Sequence, residues 1–574
     1  MKRCPKCNRV ETDDALGFCR VDGTTLVTSE LSGSETTTVH LGPTAASESE
    51  TDILPHHTSP GVSRSTGPTT TLPSQQLASQ TRSLSRRTPA KALLALGAIV
   101  IVGLAVGGYF LFGTRRTAIT SVAVLPFEDT SGNIDSEYLS DGLAESLIYR
   151  LSQLPNLKVS PTSSVMRYKG KPIDVQKIAS DLRVDAVMSG RVVHRGDNLT
   201  ISVELIDARN NHLLWGEQFE RKMSELMTTQ REIATAISNK LQLKLSGADA
   251  TGLTKRYTSD NEAYQRYLKG RFYWNKRTAE SLQKAIEQFS VAVEKDPRFA
   301  LAYSGLADCY AILATYVGRS WKETQPLARS NALKAIELDG SLAEPHATLA
   351  MLNHFEWRWA DAEAEFKRSL ELNPNYATAH HWYARFLRSA GRNDEAWTQI
   401  NLANDIDPLS LVILNNIAEH QYERGNLDEA TGICQKMLEL EPGFWAGHHT
   451  LAAVLLKRER YDEALAEAQK SVELSKRANG SLAFLAHVYG RMGKRGDAEA
   501  IIKELQKRYE SRNADGRDLA VAYAGLNDKD QVFAWLEKAY EERSHFLAVL
   551  RLEMVLDSVK SDPRWNALLK RVGA

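Results

Sequence analysis

Two alanines recur along the chain at a fixed spacing of 34 residues. Ala350, Ala384, Ala418, Ala452 and Ala486 form one series, and Ala362, Ala396, Ala430, Ala464 and Ala498 form the other. Pro374, Pro408 and Pro442 keep the same spacing. Such a period means one supersecondary unit repeated, each burying its apolar face against its neighbours. Small residues at two fixed positions let paired helices cross closely, where larger side chains would hold them apart. Proline at the end of a unit stops its second helix, because it has no N–H for the ladder. The spacing therefore predicts a linear array of helix pairs.

The period, the two small positions and the closing proline resemble the tetratricopeptide repeat (TPR). That resemblance implies an all-α superhelical solenoid of about eight repeats over 260–541, with capping helices over 542–574. It also implies a concave groove, lined by the first helix of each pair, that binds protein or peptide partners. In this register His354, Tyr422, Lys457 and Arg491 face the groove, as do the candidate contacts His381, Arg385, Arg388, Asn415, Glu419, His449 and His487. His381, Arg385 and Arg388 form a basic cluster suited to an acidic peptide or a C-terminal carboxylate. The familiar Lys/Asn carboxylate clamp of some TPR domains is not matched. The plainer alternative at each position is a solvated polar face. Trp357, Trp359, Trp382, Trp397 and Trp445 are expected to pack between repeats.

Ala92 to Gly113, ALLALGAIVIVGLAVGGYFLFG, is uncharged and apolar. At roughly 1.5 Å per residue it is long enough for the ~30 Å hydrocarbon core, so a transmembrane helix is expected over 91–113. Arg82, Arg86, Arg87 and Lys91 precede it, whereas Arg115 and Arg116 follow. That excess favours a cytoplasmic N-terminus and periplasmic C-terminal domains, a single pass through a bacterial inner membrane. Gly103 and Gly107 form a GxxxG pair through which two copies can meet.

At the N-terminus, Cys4-Pro-Lys-Cys7 is a CxxC knuckle, and Cys19-Arg-Val-Asp22 has the shape of a second with Asp last. Zinc takes four ligands in a tetrahedron, and thiolates and carboxylates both serve. So short a segment buries too little apolar surface to fold alone, which gives a structural zinc a role. Residues 1–28 resemble the small zinc ribbons with a CPxC…FCxxC pattern, with Cys4, Cys7, Cys19 and Asp22 as the expected ligands. The basic residues here are offset by acidic ones, so no face for nucleic acid stands out. Residues 29–90 are rich in Ser, Thr and Pro, a flexible linker by composition.

Between the apolar stretch and the repeats, residues 118–247 read as β-α-β-α-β-β-β-α. Ser121–Phe127 is a short apolar strand, Ser136–Leu154 and Val175–Leu182 are amphipathic helices, and Leu199, Ile201, Val203 and Leu205 alternate with polar residues. The runs VAVLPFEDTSG, EYLSDGLAESLIYRLSQLPNLKV and HLLWGEQFER resemble the TolB-type amino-terminal domain. That resemblance implies a non-catalytic interaction domain.

Formal net charge is zero, so bulk electrostatics gives no reason to expect nucleic acid. The five cysteines do not form a disulfide framework. Walker, GxSxG, HExxH, GxGxxG and kinase motifs are all missing from the sequence. The fold class expected is thus multidomain: a zinc ribbon, one transmembrane helix, an α/β TolB-like domain and an all-α TPR solenoid. The function expected is a membrane-anchored, non-enzymatic scaffold or receptor for protein partners. Its rivals are a one-component regulator whose ribbon contacts DNA or the transcription machinery, and a nucleotide-processing enzyme in 118–247.

Overall fold

The computed structural model describes residues 2–3, 10–11, 27–28, 119–130 and 137–574, except 244 and 318–320; of 2–3, 10–11, 27–28, 248 and 314–317 it describes the backbone alone. Two compact units divide the chain at Ile101. In the first, β1 (Lys2–Arg3) pairs antiparallel with both β2 (Val10–Glu11) and β3 (Val27–Thr28). Cys4, Cys7, Cys19 and Asp22 lie outside the described residues, as does the 29–90 linker.

The second unit opens with an α/β domain. Its strands are β4 (Ser121–Val124), β5 (Glu128–Asp129), β6 (Lys158–Val159), β7 (Ala186–Arg195), β8 (Asn198–Asp207) and β9 (His212–Lys222). The sheet order is β6-β4-β7-β8-β9, with β5 on β7; β4 runs parallel to β6 and β7, whereas β8 is antiparallel to both its neighbours. Strand β4 is buried throughout, as a parallel strand covered on both faces must be. On β8, Leu199, Ile201, Val203 and Leu205 are buried while the residues between them are not, the period-two pattern of a half-wet strand. The helices are α1 (Glu137–Ser152), α2 (Thr162–Val165), α3 (Val175–Leu182), α4 (Leu226–Lys240) and α5 (Gly247–Thr254).

Eight helix pairs follow among the described residues. They are α6 (Asn261–Asn275) with α7 (Ala279–Lys295), α8 (Ala300–Val317) with α9 (Trp321–Leu338), α10 (Glu344–Phe355) with α11 (Trp359–Leu372), and α12 (Ala377–Ser389) with α13 (Asn393–Ile406). Then come α14 (Leu411–Glu423) with α15 (Leu427–Leu440), α16 (Trp445–Lys457) with α17 (Tyr461–Leu474), α18 (Asn479–Arg491) with α19 (Arg495–Glu510), and α20 (Gly516–Gly525) with α21 (Lys529–Glu541). The periodic alanines sit at the crossings: Ala350, Ala418, Ala452, Ala362, Ala430 and Ala464 are all fully buried. The prolines act through the residue before them. Asn373, Asp407 and Glu441 cap their helices with ψ of 95°, 73° and 94°, the extended conformation that a following proline imposes. Over this stretch the chain is a solenoid of tetratricopeptide-like helix pairs.

One feature of the turns was not read in the sequence. The residue that reverses the chain within a pair is left-handed in six repeats, at Trp357, Gly391, Gly425, Glu459, Gly493 and Asn527, with φ between 55° and 81°. These positions also keep the 34-residue spacing, but only three hold the glycine that this conformation favours.

The expected transmembrane helix is corrected, and with it the single-pass inner-membrane protein with periplasmic C-terminal domains. Among the described residues no helix is long and apolar enough to cross a membrane. The longest, α8 and α9 at 18 residues each, belong to the solenoid; α8 carries Asp308, and α9 carries Lys322, Glu323, Arg329, Lys334 and Glu337. Such charges suit helices packed in a wet solenoid, and in hydrocarbon they would be costly. The stretch that carried the expectation, Ala92 to Gly113 with Gly103 and Gly107, lies outside the described residues. The described architecture is mostly helical, an α/β domain leading into a TPR solenoid.

Candidate functional site

Other parts of the same chain lie against the first helices of several repeats. Over the first four repeats the cover is the α/β domain. Helix α1 lies between the sheet and α6, and a Cβ on Gly142 would come within 3.0 Å of the Leu268 Cβ. Polar contacts fix this cover. Arg271 donates from Nε to Glu145 Oε1 at 2.6 Å and Asn275 Nδ2 donates to Glu145 Oε2 at 2.7 Å. Asn375 Nδ2 donates to the carbonyls of Leu154 and Leu157, and Lys158 Nζ to that of Asp405 at 3.0 Å. The hydroxyls of Ser163 and Ser164 both donate to Asp407, whose carboxyl burial pushes up in pKa.

Over the later repeats the cover is the C-terminal tail. A 3-10 segment, His545–Leu552, and helix α22 (Pro563–Val572) return along the groove. Leu547, Ala548, Leu550, Leu556 and Val559 are buried there. Tyr422 donates its hydroxyl to the Met554 carbonyl at 3.0 Å, and Trp359 Nε1 donates to the Val572 carbonyl at 2.8 Å. The ring of His354 is 3.2 Å from the Ala548 carbonyl, and Trp321 stacks on His545 at 5.0 Å. Trp357 stacks on Tyr540, so the eighth repeat touches the third.

Most of the residues expected to line the groove are therefore inside the protein. His354, His381, Arg388, Asn415 and His487 are buried; Arg385, Glu419 and His449 are half-buried; Lys457 and Arg491 are exposed. The structure brings most of them together, but with each other. Arg388 donates to Glu419 at 3.1 Å and to Glu423 at 2.6 Å. Asn416 Nδ2 lies 2.7 Å from His381 Nε2, and its Oδ1 accepts from both Arg385 and Arg388. Asn415 donates to Glu419 and accepts from Thr450. The acid that the basic cluster was expected to find in a ligand is thus supplied by α14. Burial holds the histidines neutral: it lowers His354 and His381 to about 3, and His449 and His487 to about 4. Of the tryptophans, Trp359 packs on the tail, Trp397 stacks on His420, Trp382 lines the cavity below, and Trp445 is exposed.

What stays open is a cavity of about 210 Å³ between α1 and the first helices of repeats one to four. Tyr149, Tyr257, Tyr264, Tyr267, Tyr376 and Trp382 line it, together with the carboxylates of Glu145, Asp308, Glu344 and Asp407 and the guanidinium groups of Arg271 and Arg277. Asp308 is 6% exposed, and its Oδ1 accepts from Thr348 at 2.8 Å. Burial raises the Asp308 pKa to about 6 and that of Glu344 to about 7. None of these carboxylates was singled out in the sequence. Asp308 had a legible signal, since it is the lone charge in the apolar run of α8.

Comparison with known proteins agrees with this architecture in part. Residues 118–236 match a family described as "HilA/YgeH-like transcriptional regulator, second domain", and residues 365–398 match the tetratricopeptide repeat. A Rhizobium meliloti protein named putative adenylate cyclase 3 is 31% identical over 42% of this chain and 42% of its own length. The transcriptional regulator HilA of Salmonella typhimurium is 25% identical over 50% of this chain and 51% of its own. The chain thus spans about half the length of these curated relatives, or less. Among solved structures, Pseudomonas aeruginosa PilF is 21% identical over 36% of this chain and 94% of its own, with a TM-score of 0.29.

Proposed function

We propose that this chain is a non-catalytic scaffold for protein–protein contact, working through its tetratricopeptide array. The observation that carries the reading is the array itself, eight helix pairs among the described residues. In this reading the α/β domain, an interaction module by its resemblance to the TolB-type domain, covers the first repeats. Cross-linking of the full chain in its native cells, read by mass spectrometry, tests it. Lysines on the solenoid, such as Lys334 and Lys470, are expected to join a discrete partner. Cross-links confined to the chain itself would overturn the reading, and so would conversion of ATP to cyclic AMP by the purified chain.

A second reading has a specific observation in its favour. The match of 118–236 to a regulator domain, and the HilA relatives, support a regulator whose N-terminal ribbon contacts DNA or the transcription machinery. In it Cys4, Cys7, Cys19 and Asp22 would hold a structural zinc. A salt-dependent gel shift by the full chain, lost in Cys4→Ser, is expected if this reading holds. Tight partner cross-links with no shift at low salt would leave the scaffold alone.

A further inference from the structure

The roofed half of the groove is lined by more carboxylates than guanidinium groups, and Arg271 and Arg277 both act on Asp308. Four carboxylates and two guanidinium groups line the cavity. Arg271 is already committed, forking onto Glu145 with both Nε and Nη2. Arg277 stacks on the face of Trp274, 3.8 Å from the ring centre. Glu344 opens helix α10 and takes its own backbone N–H, yet its Oε2 is buried with no hydrogen-bond partner. An unmet buried carboxylate oxygen is costly, and it leaves a place for a donor such as a water, an ion or a ligand.

We propose that this cavity binds a small organic cation, a primary amine or a guanidine, whose N–H donors meet Glu344 Oε2 and Asp308 and whose carbon body lies against Tyr267, Tyr376 and Trp382. Three features select this class. Aromatic faces attract an ammonium or guanidinium group, and more strongly when it is desolvated. A cavity of about 210 Å³ has room for ~7 waters, hence for a ligand of similar heavy-atom count. A metal ion is a poorer fit, since no group of three His, Cys, Asp or Glu among the described residues is placed to hold one. The proposal concerns a small-molecule cavity and does not rest on the scaffold reading.

The pH dependence follows from the groups around Glu344. Asp308, Asp339 and the tyrosines 149, 257, 267 and 376 face it from the neighbouring elements, and Arg271 is the nearest counter-charge. A cation binds the ionised carboxylates, so affinity should rise between pH 6 and pH 8.

Isothermal titration of the purified full chain tests the proposal, with n-butylammonium and methylguanidinium as probes and butyrate as the anionic control. Saturable binding of at least one cation is expected, tighter at pH 8 than at pH 6. Glu344→Gln, which keeps the shape and the helix start, should weaken it about tenfold or more, and Asp308→Asn should weaken it as well. Melting curves of both variants establish that they are folded. The proposal is overturned if no cation saturates, if butyrate binds as well, or if both folded variants bind like the parent.

Discussion

The two halves of the concave face meet the same problem by opposite means. Over repeats three to six the tail brings apolar side chains and backbone carbonyls, and the groove's charges are paired on neighbouring helices: Arg388 with Glu419 and Glu423. Over repeats one to four a folded domain spans the groove with polar contacts, and the space beneath keeps Glu344 Oε2 unmet. One half is filled by the tail, and the other keeps an open cavity. Polar residues on a concave helix face therefore do not by themselves mark a binding surface; open space beside them is also required.

The largest effect should come from breaking the finished half at its charge network. Arg388 is 3% exposed, and removing it strands two carboxylates. Arg388→Ala should cost about 3–5 kcal/mol, the usual penalty for an uncompensated buried charge, measured by denaturant unfolding. Glu344→Gln, in the other half, should leave stability unchanged or raise it. Equal losses in both would erase the contrast.

Next comes the tail itself. Leu556 is fully buried, 0% exposed, though it belongs to a segment with little regular structure. Leu556→Ala should cost about 2–5 kcal/mol if the tail is core. A loss near zero would mean that the tail rests loosely on the groove, which would then be open to competitors.

These contacts also explain what the sequence could and could not disclose. The alanine series was legible because each alanine meets its own pair partner or the next helix, so one local packing rule repeats every 34 residues. The β8 alternation was legible for the same reason. The covers were not. Tyr422 meets Met554 across 132 positions and His354 meets Ala548 across 194, with no periodicity to link them. A histidine on a first helix reads alike whether solvent, a ligand or the chain's own tail faces it. The cavity needed three separate elements, α1, α6 and α10, before Glu145, Arg271 and Glu344 became neighbours.

Acid should act on the halves with opposite sign. The pKa values of His354, His381, His449 and His487 are lowered by burial, so between about pH 4 and 6.5 the unfolded chain binds more protons at these sites and stability falls with pH. Each would cost about 2 kcal/mol by pH 5. Asp308 and Glu344, raised to about 6 and 7, bind more protons in the folded chain, so acidification from pH 7 to 5 recovers part of that loss. His420 and His545, lowered to about 4, add to the loss, so unfolding free energy measured over this range should drop, but less steeply than the lowered histidines alone require. Glu344→Gln should steepen the slope and His487→Gln should flatten it. A slope indifferent to both would remove the electrostatic contrast.

The finest test uses one backbone position in two surroundings. Trp357 and Glu459 both reverse the chain in the left-handed region, at φ of 66° and 60°, where side chains cost about 1–2 kcal/mol and glycine does not. Glu459 is exposed, and its replacement should register little beyond the relief of that strain. Glu459→Gly should then stabilise by about 0.5–1 kcal/mol, once the added freedom of glycine in the unfolded chain is counted. Trp357 occupies the equivalent turn, but its ring stacks on Tyr540 at 5.4 Å with Arg543 lying 5.0 Å from its centre. Trp357→Gly relieves the same strain and loses the contact that ties the third repeat to the eighth. It should destabilise by about 1–2 kcal/mol net, since a stacked aromatic pair adds about 0.5–1.5 kcal/mol to the area it buries. The difference between the two variants is the worth of that closing contact, with the backbone term cancelled. If both substitutions stabilise alike, the tail side of the groove is held by its leucines alone, and the contact between the third and eighth repeats adds nothing to it.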